Sequence, residues 1–539
     1  MVGTGKSQKN YAVWLLIILF CAALSCLLPG TVKGQVGEST KEIEVAPGQV
    51  ITESEITSEA VSGGEDEEGG GGGEGAISQG WPITFTDTEK SFATAIAVDS
   101  QRNALYVTGR AWSETTGWDY LTIKYNTVTR QKLWHEVYDG GARDFDEARA
   151  IAVDNEGNVY VTGYATGNGT GVDFRTIKYS PSGVRLWPSG QYPDKGRYNG
   201  PSNYGVATTD DFATAIAISP VAENNGQGSY YPIYVTGCTE GYGNGWDYVI
   251  IKYHPDGTKL WDKHWNRNGQ NRHDCSSALA VDGQGNIYIT GYSYLGFDRG
   301  YDYITIKYTP DGTRDWVMSY NNANKNGHDY ASAVAVDPQG NVFVTGSSQG
   351  LEKGCDYLTI AYNSDGGWYW NSHFKRYQGS DHDFARAIAV SDTPQSDSQG
   401  SYYPVYVTGL SIKGADNLDF VTIAYTNRTD GERKWTRAYN KAGKWDEPAA
   451  VAVKNGSVYV GGTATGGILS NGSTDSHATK YNPDGTRRIY KHDGTEDAGA
   501  TAIAVDNNRC VYVTGFINSP PKVRWIIKSI LSNTNREME

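Results

Sequence analysis

Ala148-Arg-Ala-Ile-Ala-Val-Asp154, then Gly157-Asn-Val-Tyr-Val-Thr-Gly163, then Asp173-Phe-Arg-Thr-Ile-Lys-Tyr179, followed by Gly183 and Trp187, is the stretch that decides the fold. Each piece is short and rich in β-branched or aromatic residues, and turn formers separate the pieces, so each reads as a strand. The second piece recurs along the chain with a Val/Ile-Thr-Gly or Val-Gly-Gly ending. Its final glycines are Gly109, Gly163, Gly237, Gly291, Gly346, Gly409, Gly462 and Gly515. Eight copies spaced 53 to 74 residues apart make a repeat array.

Each copy supplies four strands. Strand A is the Ala-x-Ala-Ile-Ala-Val piece, B is Val-Tyr-Val-Thr-Gly, C is Tyr-x-Thr-Ile-Lys-Tyr, and D carries a Trp with an aromatic four residues on. The turns between A and B, such as Asp282-Gly-Gln-Gly-Asn286, and between C and D, such as Pro255-Asp-Gly257, place Gly where a hairpin needs positive φ. Strand A is Ala at alternate positions, as in Ala93, Ala95 and Ala97, whereas the later strands carry Tyr and Trp. Small residues near an axis and large ones away from it fit blades that converge. The D pattern recurs as Trp134/Tyr138, Trp261/Trp265, Trp316/Tyr320, Trp370/Phe374 and Trp435/Tyr439. The eighth copy lacks it, and it stands instead before the first strand A, as Trp81/Phe85. The expected fold is all-β: a single closed β-propeller of eight four-stranded blades, its N-terminal strand closing the last blade and removing the free sheet edge.

The stretches Asp146 to Gly163 and Asp329 to Gly346 resemble the core of the bacterial β-propeller repeat family known as SBBP repeats. The resemblance covers roughly residues 81–530. It implies an exported or surface propeller and brings no catalytic residues with it. The family's name speaks of seven blades, whereas eight copies are counted in this chain.

The chain divides into three parts. Residues 1–34 read as a signal peptide or membrane anchor: Lys6 and Lys9 precede an apolar run from Ala12 to Leu28, which Pro29 and Gly30 end. Residues 35–80 hold eleven acidic groups against one Lys, with an almost pure Gly/Glu/Asp run from Gly63 to Gly75. Such a segment buries too little apolar surface to offset its ordering entropy and is expected to be a disordered linker. Residues 81–539 hold the propeller. The net charge of −14 shows no basic stripe, which argues against nucleic acid as a partner. The expected location is outside the cytoplasm: secreted, periplasmic or at the cell surface. A membrane is expected as a partner only through an uncleaved N-terminal anchor, and the chain is expected to be a monomer.

In a propeller the D–A and B–C connections share one face, called the top. An Asp recurs at both, before strand A (Asp146, Asp211, Asp274, Asp329, Asp383, Asp446) and before strand C (Asp119, Asp173, Asp247, Asp302, Asp356, Asp419, Asp475). These carboxylates are read first as acceptors for loop N–H groups; the other reading is an acidic ring that takes a divalent cation or a cationic group. Three consecutive copies add a His, giving His273-Asp274, His328-Asp329 and His382-Asp383 as weak metal candidates beside a reading as loop residues. Trp112, Trp118, Tyr242 and Trp246, with Tyr192, Arg197, Tyr198 and Tyr204 in the longest D–A connection, are candidates for contacting a glycan or a polypeptide. Trp118 and Trp246 equally suit packing between blades. Cys238 ends one strand B and Cys275 begins the next strand A, close enough for a disulfide, while Cys510 is expected to stay free.

A binding or scaffold role without a cofactor is therefore expected. Catalysis is the alternative, as a glycan lyase or hydrolase or as a quinone-dependent dehydrogenase. The tryptophan-docking repeats of quinone dehydrogenases also pair a Gly with a Trp four residues later, as Gly257/Trp261 does here. In this chain, however, the Asp stands beside the Gly and no adjacent Cys pair is present.

Overall fold

The computed structural model describes residues 83–530, apart from 86–89, 142–143, 168, 192, 201–208, 227, 241–244, 268–272, 295–299, 323–326, 351–353, 380, 413–417, 440–445, 465–474, 492–496 and 520–521. The expectations for residues 1–34 and 35–80, and those for Trp81, Tyr192, Tyr204 and Tyr242, lie outside the described residues.

Every regular element among the described residues is a β-strand. In the second copy strands A, B and C are Glu147–Val153, Val159–Gly167 and Gly171–Tyr179. The same antiparallel A-B-C order recurs from Ser91–Asp99 in the first copy to Asp497–Val505 in the last. Ile83–Phe85 pairs with Lys522–Ile530 in the sheet that also holds Val511–Ser519 and Asp497–Val505. Two small hairpins, Glu223–Asn224 with Ser229–Tyr230 and Gln395–Asp397 with Gly400–Tyr402, form where the sequence Gly-Ser-Tyr-Tyr-Pro occurs twice, at 228–232 and 400–404.

The Thr-Gly ending of strand B has a steric cause. Strand A shifts register opposite it, for example between Ala148 and Ala150. That bulge pushes a carbonyl inward, so a Cβ at Gly163 would stand 2.0 Å from the Glu147 oxygen and 2.8 Å from the Tyr120 hydroxyl of the preceding sheet. Only Gly leaves room for both.

Consecutive sheets are joined by one repeated dock. The strand-D Trp of one sheet lies on the C–D turn of the next. Trp187 packs between Tyr160 and Tyr253, its Nε1 donates to the Pro255 carbonyl, and the face of its ring covers Gly257. A Cβ on Gly257, whose φ is +90°, would meet the indole at 3.0 Å. Trp134 on Gly183, Trp261 on Gly312, Trp316 on Gly366, Trp370 on Gly431 and Trp435 on Gly485 repeat the arrangement. The Lys of strand C strengthens it: Lys178 Nζ donates to the same Pro255 carbonyl, and Lys252 to that of Pro310. Trp187 and Trp370 are fully buried, with 1% and 0% exposure.

Nearer the start of strand A a second set of bonds crosses between sheets. Thr94 Oγ1 donates to Ala148 O, Thr214 Oγ1 to Ser276 O, and Ser332 Oγ to Ala385 O. Thr501 of the last copy donates to Ala93 O of the first, so the two ends of the array lie side by side.

Two copies depart from the expected D strand. In the fifth, Trp370 docks as expected, but the strand-end aromatic is Tyr377 and not Phe374. The chain turns at His373, which has φ +65°, and strand D resumes only at Phe374–Tyr377, with Tyr377 opposite Tyr357. In the second, strand D breaks after Trp187, and Arg197–Tyr198 returns to pair with Gly171–Tyr179, putting Tyr198 opposite Phe174.

Candidate binding site on the top face

The first residues of several A strands, the last of several B strands and the first of one C strand converge on a cavity of about 380 Å³. Its wall carries the rings of Phe212, Trp246, Tyr292, Tyr330 and Phe384. Phe212, Tyr330 and Phe384 each follow the buried Asp that opens a strand A, and the Ala after each of them lines the cavity too, while Tyr292 comes from a strand B and Trp246 from a strand C. Trp246 lies flat on Phe212, with centroids 4.9 Å apart and planes 13° apart, and Tyr292 meets Tyr330 edge-on at 5.3 Å. The Cys238–Cys275 disulfide, with Cα atoms 4.9 Å apart, ties two neighbouring sheets at the wall. Cys510 is free.

Two arginines line this cavity, Arg149 and Arg386, with no carboxylate and no His among the described lining residues. Both occupy the middle position of the Ala-x-Ala motif. That position holds Thr94, Thr214, Ser277, Ser332 and Thr501 in other copies, four of them donating to the neighbouring sheet. An Arg there cannot make so short a bond, and its guanidinium extends into the cavity. Arg149 stands 3.8 Å from Glu147 and over the Tyr164 ring, and Arg386 forms a 2.7 Å ion pair with Glu447. Burial alone would raise the Glu147 carboxyl, but Arg149, Arg110 and the Tyr164 hydroxyl together hold it below its ordinary range. The sequence reading missed both arginines. The available signal was a charged residue at a position that is otherwise Thr or Ser.

The expected contact residues separate. Trp246 lines the cavity. Trp118 and Trp112 lie in a neighbouring aromatic cluster, 5.4 Å from each other. Arg110 there sits 4.9 to 5.0 Å from the Phe92, Trp118 and Phe145 ring centres and forms a 2.9 Å ion pair with Glu147. Arg197 pairs with Asp173 at 2.8 Å, and the buried Tyr198 hydroxyl meets His264 Nε2 at 2.9 Å.

The three His–Asp pairs do not meet at one site among the described residues; each His lies between its own strand and strand C of the preceding sheet. His328 stacks on Tyr330 and His382 on Phe384. His382 Nδ1 also accepts the Cys355 N–H, and the exposed His273 lies 6.5 Å from Trp246. Their Asp partners Asp274, Asp329 and Asp383 are fully buried and accept backbone N–H groups from Arg267, Asn322 and Gly379. Among the described residues, the one group of three potential metal ligands contains none of these pairs. It is Asp119, Asp139 and Asp146. Burial raises several of the strand-A carboxyls, Asp146 and Asp211 to about 7 and Asp329 and Asp383 to about 6.

Four-stranded antiparallel sheets docked in series, with small strands A and a cavity at one end of them, define a β-propeller repeat protein. Residues 140–169, 268–298 and 323–351 match the SBBP family of β-propeller repeats, and residues 454–487 match a β-propeller domain of unknown function, DUF5122. No curated protein matches the sequence. Among solved structures, Sqt1 from Chaetomium thermophilum is similar with 11% identity and a TM-score of 0.46, over 83% of this chain and 98% of that one. A quinohemoprotein alcohol dehydrogenase from Pseudomonas putida HK5 has 12% identity and a TM-score of 0.43, over 87% and 77%. A polysaccharide lyase, an ulvan lyase bound to a sugar chain, has 11% identity and a TM-score of 0.41, over 73% and 95%.

Proposed function

We propose that the repeats close into one ring of eight blades, that the chain is exported, and that it acts as a non-catalytic binding module. Its ligand, a glycan or a polypeptide segment carrying acidic groups, docks in the top-face cavity. The observation that carries this reading is the cavity's lining: a wall of five aromatic rings with Arg149 and Arg386 as its charged groups. Flat rings offer apolar area to a sugar face or a peptide side chain, and guanidinium groups recognise carboxylate or sulfate in a bidentate manner. In a ring of eight, the second and sixth copies stand opposite each other, so the two arginines would grip a ligand from both sides. General acid–base catalysis needs a group that titrates near neutrality beside the reacting bond. The described lining residues offer no carboxylate, imidazole or thiol for that. The disulfide at the wall supports an oxidising compartment.

Glycan and acidic-peptide arrays probed with the full chain test the reading. Trp246→Ala and a double Arg149→Ala/Arg386→Ala variant should each weaken a captured ligand about thirtyfold or more, the effect of losing an anchor worth about 2 kcal/mol. The melting temperature should stay close to that of the parent. Depolymerised glycan in the reaction, or unchanged affinity in both variants, would overturn the reading. A large loss of melting temperature in Trp246→Ala alone would move that ring to packing, leaving the arginine pair as the deciding variant.

A further inference from the structure

At the first junction three side chains come together: Asp119 of strand C, Asp146 opening the next strand A, and Asp139 after the strand-D aromatic; the same three positions can be followed through later copies in the sequence. The β-ladder register aligns the third position without ambiguity, because Tyr138, Tyr198, Trp265, Tyr320 and Tyr377 stand opposite equivalent residues of their C strands. The residues that follow are Asp139, Asn199, Asn266, Asn321 and Gln378. Four described junctions therefore hold a carboxamide, and the first holds a carboxylate.

The electrostatic difference is large. Asn266 Nδ2 donates to Asp247 Oδ1 at 2.7 Å, a bond an ionised Asp139 cannot make to Asp119. At three other junctions a guanidinium balances the strand-C carboxylate: Arg197 at 2.8 Å from Asp173, Arg267 at 3.3 Å from Asp302 and Arg376 at 2.7 Å from Asp356. Among the described residues no Lys or Arg forms an ion pair with Asp119, Asp139 or Asp146. One ligand oxygen from each of the three lies within 4.8 Å of the others. Asp119 is 2% exposed, and its Oδ1 has no hydrogen-bond partner. Its Oδ2 accepts from Thr116, while the two Asp146 oxygens accept the Gly140 and Thr166 N–H groups and are fixed in direction by them. Three carboxylates in one place, two of them buried and none ion-paired among the described residues, are costly without a counter-charge.

We propose that Asp119, Asp139 and Asp146 hold a calcium ion at the junction of the first two sheets. The donor set is oxygen alone, which suits a hard cation and not zinc or copper. Calcium takes six to eight oxygens in adaptable geometry. Three carboxylates, bound through one oxygen or two, supply about half of these, and the exposed side of Asp139 admits water for the rest. Magnesium, which requires a tighter octahedron and gives up its water reluctantly, fits the site less well. The ion would bridge strand C and the D–A connection of one sheet to strand A of the next, doing for this junction what Arg197 and Asn266 do elsewhere.

Calcium titration of the full chain, stripped with chelator, tests the proposal by calorimetry and thermal melting. One ion per chain should bind, raising the melting temperature, and magnesium should replace it only at much higher concentration. Asp139→Asn introduces the side chain that neighbouring junctions carry, so it should fold normally without calcium and lose affinity tenfold or more. Asp119→Asn should lose it as well. Identical melting of the parent in chelator and in calcium would overturn the proposal, as would undiminished binding in Asp139→Asn.

Discussion

At the scale of single residues, the buried Asp before several A strands ties the molecule's stability to pH. Burial pushes Asp211 up to about 7 and Asp329 and Asp383 up to about 6, whereas an unfolded carboxyl titrates near 3.9. A raised folded value means that the folded state holds its proton more tightly. The stability these groups contribute is therefore complete below about pH 4 and is lost as pH rises through 6 to 7. The melting temperature should be higher at pH 5 than at pH 8, and Asp211→Asn, a neutral side chain of the same shape, should shrink that difference. An unchanged pH profile in the variant would show that Asp211 stays ionised throughout. The recurrence of these Asp residues was legible in the sequence, and so was their bonding to loop N–H groups. The roles of Arg197 and Tyr198 were not. Both stand in a long connection after Trp187, and no local pattern told that the chain would return there to complete a strand.

At the scale of the element, the dock of a strand-D Trp on the next sheet's turn is the contact repeated most plainly between neighbours, six times among the described residues. Trp187→Ala would remove a fully buried indole, its bond to the Pro255 carbonyl and its cover of Gly257. The cost should be about 3–5 kcal/mol in chemical denaturation, the range for a large aromatic cut to Ala in a core. A cost near 1 kcal/mol would mean that neighbouring sheets are held by something else. The spacing of Gly183 to Trp187 and its relatives was legible as a recurring feature, but not that each Trp covers the glycine of the sheet that follows. The top-face cavity was less legible. Trp246 could be chosen as an exposed ring at a loop, but Phe212, Tyr330 and Phe384 read only as the outward positions of alternating strands. Arg149 and Arg386 were hidden because the middle of Ala-x-Ala looks like any variable surface position until neighbouring strands surround it.

At the scale of the whole molecule, the first strand sits with the last sheet although more than 400 residues separate them in sequence. Phe85 is buried there at 3% exposure and belongs to a cluster with Tyr512 and Leu105. A chain beginning at Lys90 should fold with a lower melting temperature and a bare edge on Lys522–Ile530, and light scattering should detect its self-association. A truncated chain as stable and as monomeric as the parent would show that the strand is ornamental. The eightfold recurrence and the displaced Trp81/Phe85 pattern made this arrangement readable early, since a D signature missing at one end and present at the other has a simple explanation. The Trp dock carries one more implication. It is directional, like a plug entering a socket: each of the first six sheets offers an indole, and the turn of the sheet that follows offers a glycine. A fragment cut from the middle of that series therefore ends in one empty socket and one unused plug. Two fragments cut between sheets present mutually complementary ends and should recombine as a heterodimer, whereas one fragment alone can satisfy its ends only with further copies of itself, head to tail.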